Sequence, residues 1–194
     1  MHIFLFTFWM LFFLGTFVWR VYVNHRRYGE NPLVLQKDDS TYGFVSSAFK
    51  AVILLVFLIN LVLLVFPGSA SAASLFPSNL PLSILGVVLM LSSLMLVLIA
   101  QVHLGKSWRI GIDTQVSTEL VTEGIYHRSR NPIFLGMRVA LLGFFLCLPT
   151  YPVLIAVIFG ELLMQIQVRL EEEHLGRLHG PTYQQYRQLT PRWW

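Results

Sequence analysis

Apolar positions along the chain fall into four long blocks separated by short polar stretches, and about 20 mostly apolar residues suffice for one membrane-crossing helix. The first block covers residues 3–23, the second 42–66 and the third 80–104. The fourth, residues 132–170, is too long for one crossing. Its "CLPTYP" stretch places Pro149 and Pro152 where the chain would reverse, so this block predicts a helical hairpin. Five transmembrane helices follow.

Composition agrees with that pattern. The 194 residues are 55% hydrophobic and 12% charged, where a soluble domain is about one quarter charged. The polar remainder is too short for a second globular core. The expectation is therefore one all-α, polytopic membrane domain over residues 1–194. Residues 1–104 supply the first three helices, and residues 105–194 carry the polar segments and the terminal hairpin. Basic residues set its orientation. Arg20, Arg26, Arg27 and Lys37 follow the first block, Lys106, Arg109, Arg128 and Arg130 follow the third, and Arg169, Arg177, Arg187 and Arg192 lie at or after the end of the fourth. The loop 67–79 and the turn at Pro149 carry no ionised side chain. This predicts an amino terminus outside and a carboxyl terminus in the cytoplasm. Positive charge after the first block rather than before it argues for a permanent helix and against a cleaved signal peptide.

The net charge of +4 is accounted for by topology and attraction to anionic lipid, which leaves no case for nucleic acid as a partner. The single cysteine, Cys147, excludes an intrachain disulfide and reads as packing. "PGSASAASLFPSN" reads as a simple outer loop. A hairpin brings its two ends together, so "YHRSRNP" should lie close to "RLEEEH". Pro132 suits a first helical position, with Asn131 as N-cap, and the free amides of that helix start would attract a carboxylate or phosphate, with Arg130 beside them. The last long helix should run to His179, because Gly180 and Pro181 form a stop signal. From Pro152 that is roughly 42 Å, so its final turns would stand beyond the ~30 Å hydrocarbon core. Arg138 and Glu161 lie at nearly equal depth from the turn, where they would either meet as an ion pair inside the bilayer or have one of them line a substrate cavity.

Two blocks, "LVTEGIYHRSRNPIFLG" and, about thirty-five residues later, "EEEHLGRLHGPTYQQYRQLTPRW", resemble the isoprenylcysteine carboxyl methyltransferase family of membrane enzymes. "HLGKSW", residues 103–108, is similar to the short motif preceding those blocks in bacterial relatives. Asn131 stands where the family has histidine, Phe134 where it has tyrosine, and His179 where phenylalanine is usual. The resemblance implies methyl transfer from S-adenosyl-L-methionine to the α-carboxylate of a prenylated C-terminal cysteine, in a cofactor pocket on the cytoplasmic side. It assigns the cofactor's carboxylate to the helix start at Asn131 and Pro132, and its ammonium to Glu171. The adenosine part would meet Glu119, Leu120, Val121, Tyr126 and Phe134, with His103 and Lys106 as neighbours. Arg130 would pair with the carboxylate of cofactor or substrate, and Arg169, two residues from an arginine position of the eukaryotic enzymes occupied here by Gln167, with that of the substrate. The prenylated or other lipidic substrate would enter from the bilayer. Tyr183, Tyr186, Trp193 and Trp194 suit an interfacial lid or an anchor in membrane lipid. A phospholipid or small-lipid methyltransferase and a noncatalytic scaffold are the alternative readings.

Overall fold

The computed structural model describes residues 1–29, 31–34, 39–77, 79–111 and 118–194. Lys37 lies outside them. Helix α1 runs His2–Tyr28, with a π-helical stretch at Leu14–Trp19. Helix α2 is Thr41–Val65, α3 Leu80–Leu104, α4 Pro132–Cys147 and α5 Tyr151–Leu189. Short helical turns occupy Gly105–Ser107 and Gly124–His127. Among the described residues the regular structure is helical, with two isolated bridges in place of any strand.

The expected bounds of the second and third blocks hold to within one residue because each helix has a local start signal. Ser40 Oγ accepts from the Gly43 amide at 3.2 Å, and Asn79 Oδ1 accepts from the Leu82 amide at 3.0 Å, satisfying first-turn donors. The first helix ends five residues later than expected, at Tyr28, where Gly29 adopts φ 73° and closes it. Four helices, α1, α2, α3 and α5, are long and apolar enough to cross a membrane. The expected hairpin exists, but its first arm, α4, has 16 residues, about 24 Å, and is shorter than a full crossing.

Glycines decide how α4 sits. A Cβ on Gly86 would come within 2.6 Å of the Gly143 carbonyl, and one on Gly143 within 2.6 Å of the Gly86 carbonyl, so α3 and α4 pack backbone to backbone. Met90, Val97, Ala140, Phe144 and Cys147 fill this seam, and Cys147 is buried core as expected. At the opposite end of the bundle from the polar segments, the Leu75 amide donates to the Pro149 carbonyl at 2.8 Å and the Tyr151 amide to Ala73 at 3.0 Å. The stretch around Ala73 and Leu75 is thereby tied to the hairpin turn. The apolar part of α5 closes at Leu170, and the helix continues beyond it through Glu171 to the kink at Gly180, whose φ is 52°. Residues 181–189 then form a terminal helix.

Arg138 Nε donates to Glu161 Oε2 at 2.7 Å, as the equal depths from the turn predict. The pair continues into a ladder along α5. Gln165 donates to Glu161, and Arg169 donates to Gln165, each at 2.7 Å, while the Trp193 ring covers Arg138 at 4.2 Å.

Candidate active site

Three consecutive acids on one helix point about 100° apart, so each meets a different environment. Glu173 is exposed and reaches Arg177 at 3.6 Å. Glu172 turns inward to a knot of cations. Arg130 contacts it through Nη2 at 3.0 Å, Arg192 through Nη2 at 2.7 Å, and Asn131 Nδ2 donates to it at 3.1 Å. The side chains of Arg130 and Glu172 are each 7% exposed. Arg130 also donates to the carbonyls of Arg187 and Thr190, and its own amide donates to Pro191 at 3.0 Å. The knot thus binds the start of α4, the end of α5 and residues 187–192 into one unit. Burial alone would raise the Glu172 carboxyl, but hydrogen bonds and charge from Arg192 and Arg130 outweigh it and hold the group below its ordinary value.

Glu171 lines a cavity of about 570 Å³, whose wall Glu172 and Arg130 also reach. It has no ion pair among the described residues. Burial, and then the neighbouring charge of Glu172, push its carboxyl up to about 7. The cavity lies where the apolar bundle meets the polar segments, and every long helix contributes to its wall: Val18 from α1, Phe49 from α2, Gln101 from α3, Phe134 from α4 and His174 from α5.

The preceding loop is shaped by close packing. Gly124 adopts φ 63°, and a Cβ there would lie 2.7 Å from His103 Nδ1, which accepts from the Ile125 amide at 3.2 Å. That turn directs Tyr126 inward, where it is 6% exposed. Tyr186 Oη donates to the Tyr126 carbonyl at 2.6 Å, and Thr190 Oγ1 to the His127 carbonyl at 3.3 Å. Tyr183 and Tyr186 are therefore buried walls of the cavity rather than interfacial side chains. The Tyr183 hydroxyl has no protein partner among the described residues.

The structure brings Glu119, Leu120, Val121, Tyr126, Arg130, Asn131, Pro132, Phe134 and Glu171 together on this cavity. His103 and Lys106 stand outside its wall, His103 behind Gly124 and Lys106 in an exposed 2.7 Å pair with Glu119. Arg169 also stands outside, occupied with Gln165. Asn131 is the N-cap residue of α4, but its side chain caps no amide. It turns instead to Glu172 and the Arg192 carbonyl. The first-turn amides are left without a side-chain acceptor.

Several wall residues were not singled out from the sequence. Gln101 and Trp108 are locked in place from α1. Gln101 Nε2 donates to the Thr16 carbonyl at 2.7 Å, Asn24 donates to the Trp108 carbonyl at 3.2 Å, and Arg20 lies 5.8 Å over the Trp108 ring. A glutamine inside an apolar span was the available signal for the first, and the "HLGKSW" motif for the second. His174, three residues after Glu171, also lines the wall.

Chemically, the site offers one carboxylate without an ion pair, aromatic rings, and a helix start whose amides lack a side-chain acceptor. An ammonium or sulfonium suits the carboxylate and rings, and a carboxylate suits the helix start. A model of the family described as phospholipid methyltransferase matches residues 82–182, which span α3, the loop, α4 and α5 as far as the kink. No curated protein matches the chain.

Proposed function

Because the chain belongs to the phospholipid methyltransferase family, and is a membrane methyltransferase on that ground, we propose that it methylates the C-terminal α-carboxylate of an S-prenylated cysteine. S-adenosyl-L-methionine, when bound, supplies an electrophilic methyl group on a sulfonium. The single observation that carries the assignment of its place is Glu171, partly buried on a cavity wall with no ion pair among the described residues. Glu171 takes the ammonium. The first-turn amides of α4 at Ile133 and Phe134 take the carboxylate, and the Tyr183 hydroxyl is free to bond the bound molecule. Tyr126, Phe134 and residues 119–121 line the remainder.

A substrate carboxylate has an ordinary pKa near 3.5 and is already ionised, so the chain need supply no strong base. With the cofactor bound, an oxygen of that carboxylate would accept the methyl group, and the sulfonium would leave as a neutral thioether beside a neutral ester. What the chain contributes is alignment and exclusion of water, to which the buried side chains Tyr126, Ser129 and Asn131 of the loop and Tyr183, Tyr186 and Thr190 of the terminal segment contribute. Arg130 acts here by holding Glu172 and the chain end in place. In this reading the amino terminus is outside, α4 completes a fifth, short span, the cavity faces the cytoplasm, and the lipidic substrate enters from the bilayer.

A second reading, methylation of a phospholipid amine, is favoured by the family's description and by the Glu171 carboxyl near 7, which suits a proton acceptor for an ammonium. Purified protein given labelled cofactor with N-acetyl-S-farnesylcysteine, or with phosphatidylethanolamine, separates the two. Base-labile methyl ester from the first supports the carboxyl reading. Label only in the second, stable to base, replaces it.

A further inference from the structure

An ionised side chain within an apolar span is costly and usually serves a function. Residues 43–66 contain one, Lys50. It lies ten residues past the cap at Ser40, about 15 Å along α2. Two contacts fix its level against α5. Tyr42 Oη accepts from Arg177 at 3.2 Å, and a Cβ on Gly160 would meet Val52 Cγ1 at 3.9 Å. Lys50 therefore sits on the membrane side of Glu171, at a level between Gly160 and Glu171. It lines the same cavity.

The other cations near the site are engaged. Arg130 and Arg192 hold Glu172, Arg138 holds Glu161, Lys106 holds Glu119, and Arg20 bonds the Gln101 and Gly105 carbonyls. Lys50 has no ion pair or hydrogen bond among the described residues. Lys50 is exposed, and the wall it shares carries Phe13, Phe17, Phe49 and Ile53 from α1 and α2, with Phe13 and Ile53 at 40% and 38% exposed. The cavity thus has a carboxylate at its polar end, a cation at its membrane end and an apolar flank between α1 and α2. An amphiphile with an anionic head and a long apolar chain matches that arrangement.

We propose that Lys50 holds the carboxylate of the prenylcysteine substrate, and so distinguishes the acid from its methyl ester. The assignment rests on the carboxyl-methylation reading above. The acid binds as an anion against the ammonium of Lys50 while its chain lies between α1 and α2. The ester is neutral, forms no such pair, and leaves.

The test is calorimetric titration of the full-length protein in neutral detergent with N-acetyl-S-farnesylcysteine and, separately, with its methyl ester. The parent binds the acid roughly tenfold or more tightly than the ester, the size of a charge-assisted hydrogen bond. Lys50→Met loses that preference while ester and S-adenosylhomocysteine affinities stay unchanged, and Lys50→Arg keeps most of it. In turnover, Lys50→Met raises KM for the acid by a similar factor and leaves kcat nearly constant. A Lys50→Met protein that still prefers the acid overturns the assignment alone and makes Lys50 a lysine snorkelling to lipid phosphate. A parent that forms no base-labile ester from the acid overturns the carboxyl reading and this assignment together.

Discussion

Glu171 and Glu172 are neighbours in sequence and opposites in situation. Glu172 is saturated by two arginines and an asparagine, and its carboxyl is held low. Glu171 has no ion pair among the described residues, and its carboxyl is pushed up to about 7. The difference separates the group that holds the site together from the group left open for a ligand. A buried acid that already has all its partners can stabilise a fold, whereas one kept without them is less stable by itself and available to bind.

Breaking the saturated side should have the largest effect. Glu172→Ala strands Arg130 and Arg192 and should cost roughly 3–5 kcal/mol of stability, seen as a large fall in the thermal midpoint in detergent together with loss of cofactor binding. Glu171→Gln should do the converse. It removes the proposed ammonium partner and should weaken cofactor binding by roughly 2–5 kcal/mol, while thermal stability stays level or rises. If Glu171→Gln unfolds the protein as readily as Glu172→Ala, the contrast between the two acids is false.

The contrast also has a pH signature. The Glu171 carboxyl, raised from an ordinary 4.5 to about 7, keeps its proton in the folded chain where the unfolded chain has released it. Its contribution to stability is therefore present below about 4.5 and is lost as pH rises from there through 7. Its capacity to pair with an ammonium is gained over the upper part of the same window. Cofactor affinity should increase several-fold between about pH 6 and 8, with proton release on binding, and titration in buffers of different ionisation enthalpy would show it. Glu171→Gln should flatten the dependence.

The Arg138–Glu161 pair, with side chains 28% and 37% exposed, is an intermediate case. Each single leucine substitution should destabilise, and the double substitution should recover roughly 0.5–3 kcal/mol relative to their sum. Simple additivity would show that the 2.7 Å contact carries no coupling. At the far end of the scale, Lys106→Ala removes an exposed pair with Glu119 and should change stability by no more than about 0.5 kcal/mol.

Much of the architecture was legible because a span is a property of 20 residues at once. The Leu80–Leu104 helix matches its expected bounds, since Asn79 and Pro81 mark its start and the polar "HLGKSW" its end. The break at Gly180 and the Arg138–Glu161 contact followed from equally local reasoning, a stop signal and a count from a turn. The length of α4 was less legible, because the division of a continuous apolar block depends on where the turn closes. In the site, the sequence brought Glu171, Asn131 and Tyr126 together. Glu171 was singled out by the resemblance alone, and the residues themselves did not show that Glu172 would be saturated by Arg130, Arg192 and Asn131. Nor did they show that Asn131 would leave its capping position for Glu172, or that Arg130 would be held by carbonyls more than fifty residues away. Lys50 was hidden by the strength of its surroundings, one cation averaged into an apolar window.

The π-helical stretch at Leu14–Trp19 has a consequence for how this helix tolerates change in length. A π turn accommodates an extra residue while the flanking α-helical segments keep their orientation. The first helix therefore contains more sequence than a plain α-helical path over the same distance would use. Removing one residue from this stretch would let the helix close into regular α form with Arg20 and Asn24 still directed at Gln101, Gly105 and Trp108. The change would fall on Phe17 and Val18, which line the cavity, and on the Thr16 carbonyl that accepts from Gln101. A single-codon deletion would thus reshape the α1 side of the chamber while sparing the bundle, a route by which the shape of the cavity can drift without loss of the fold.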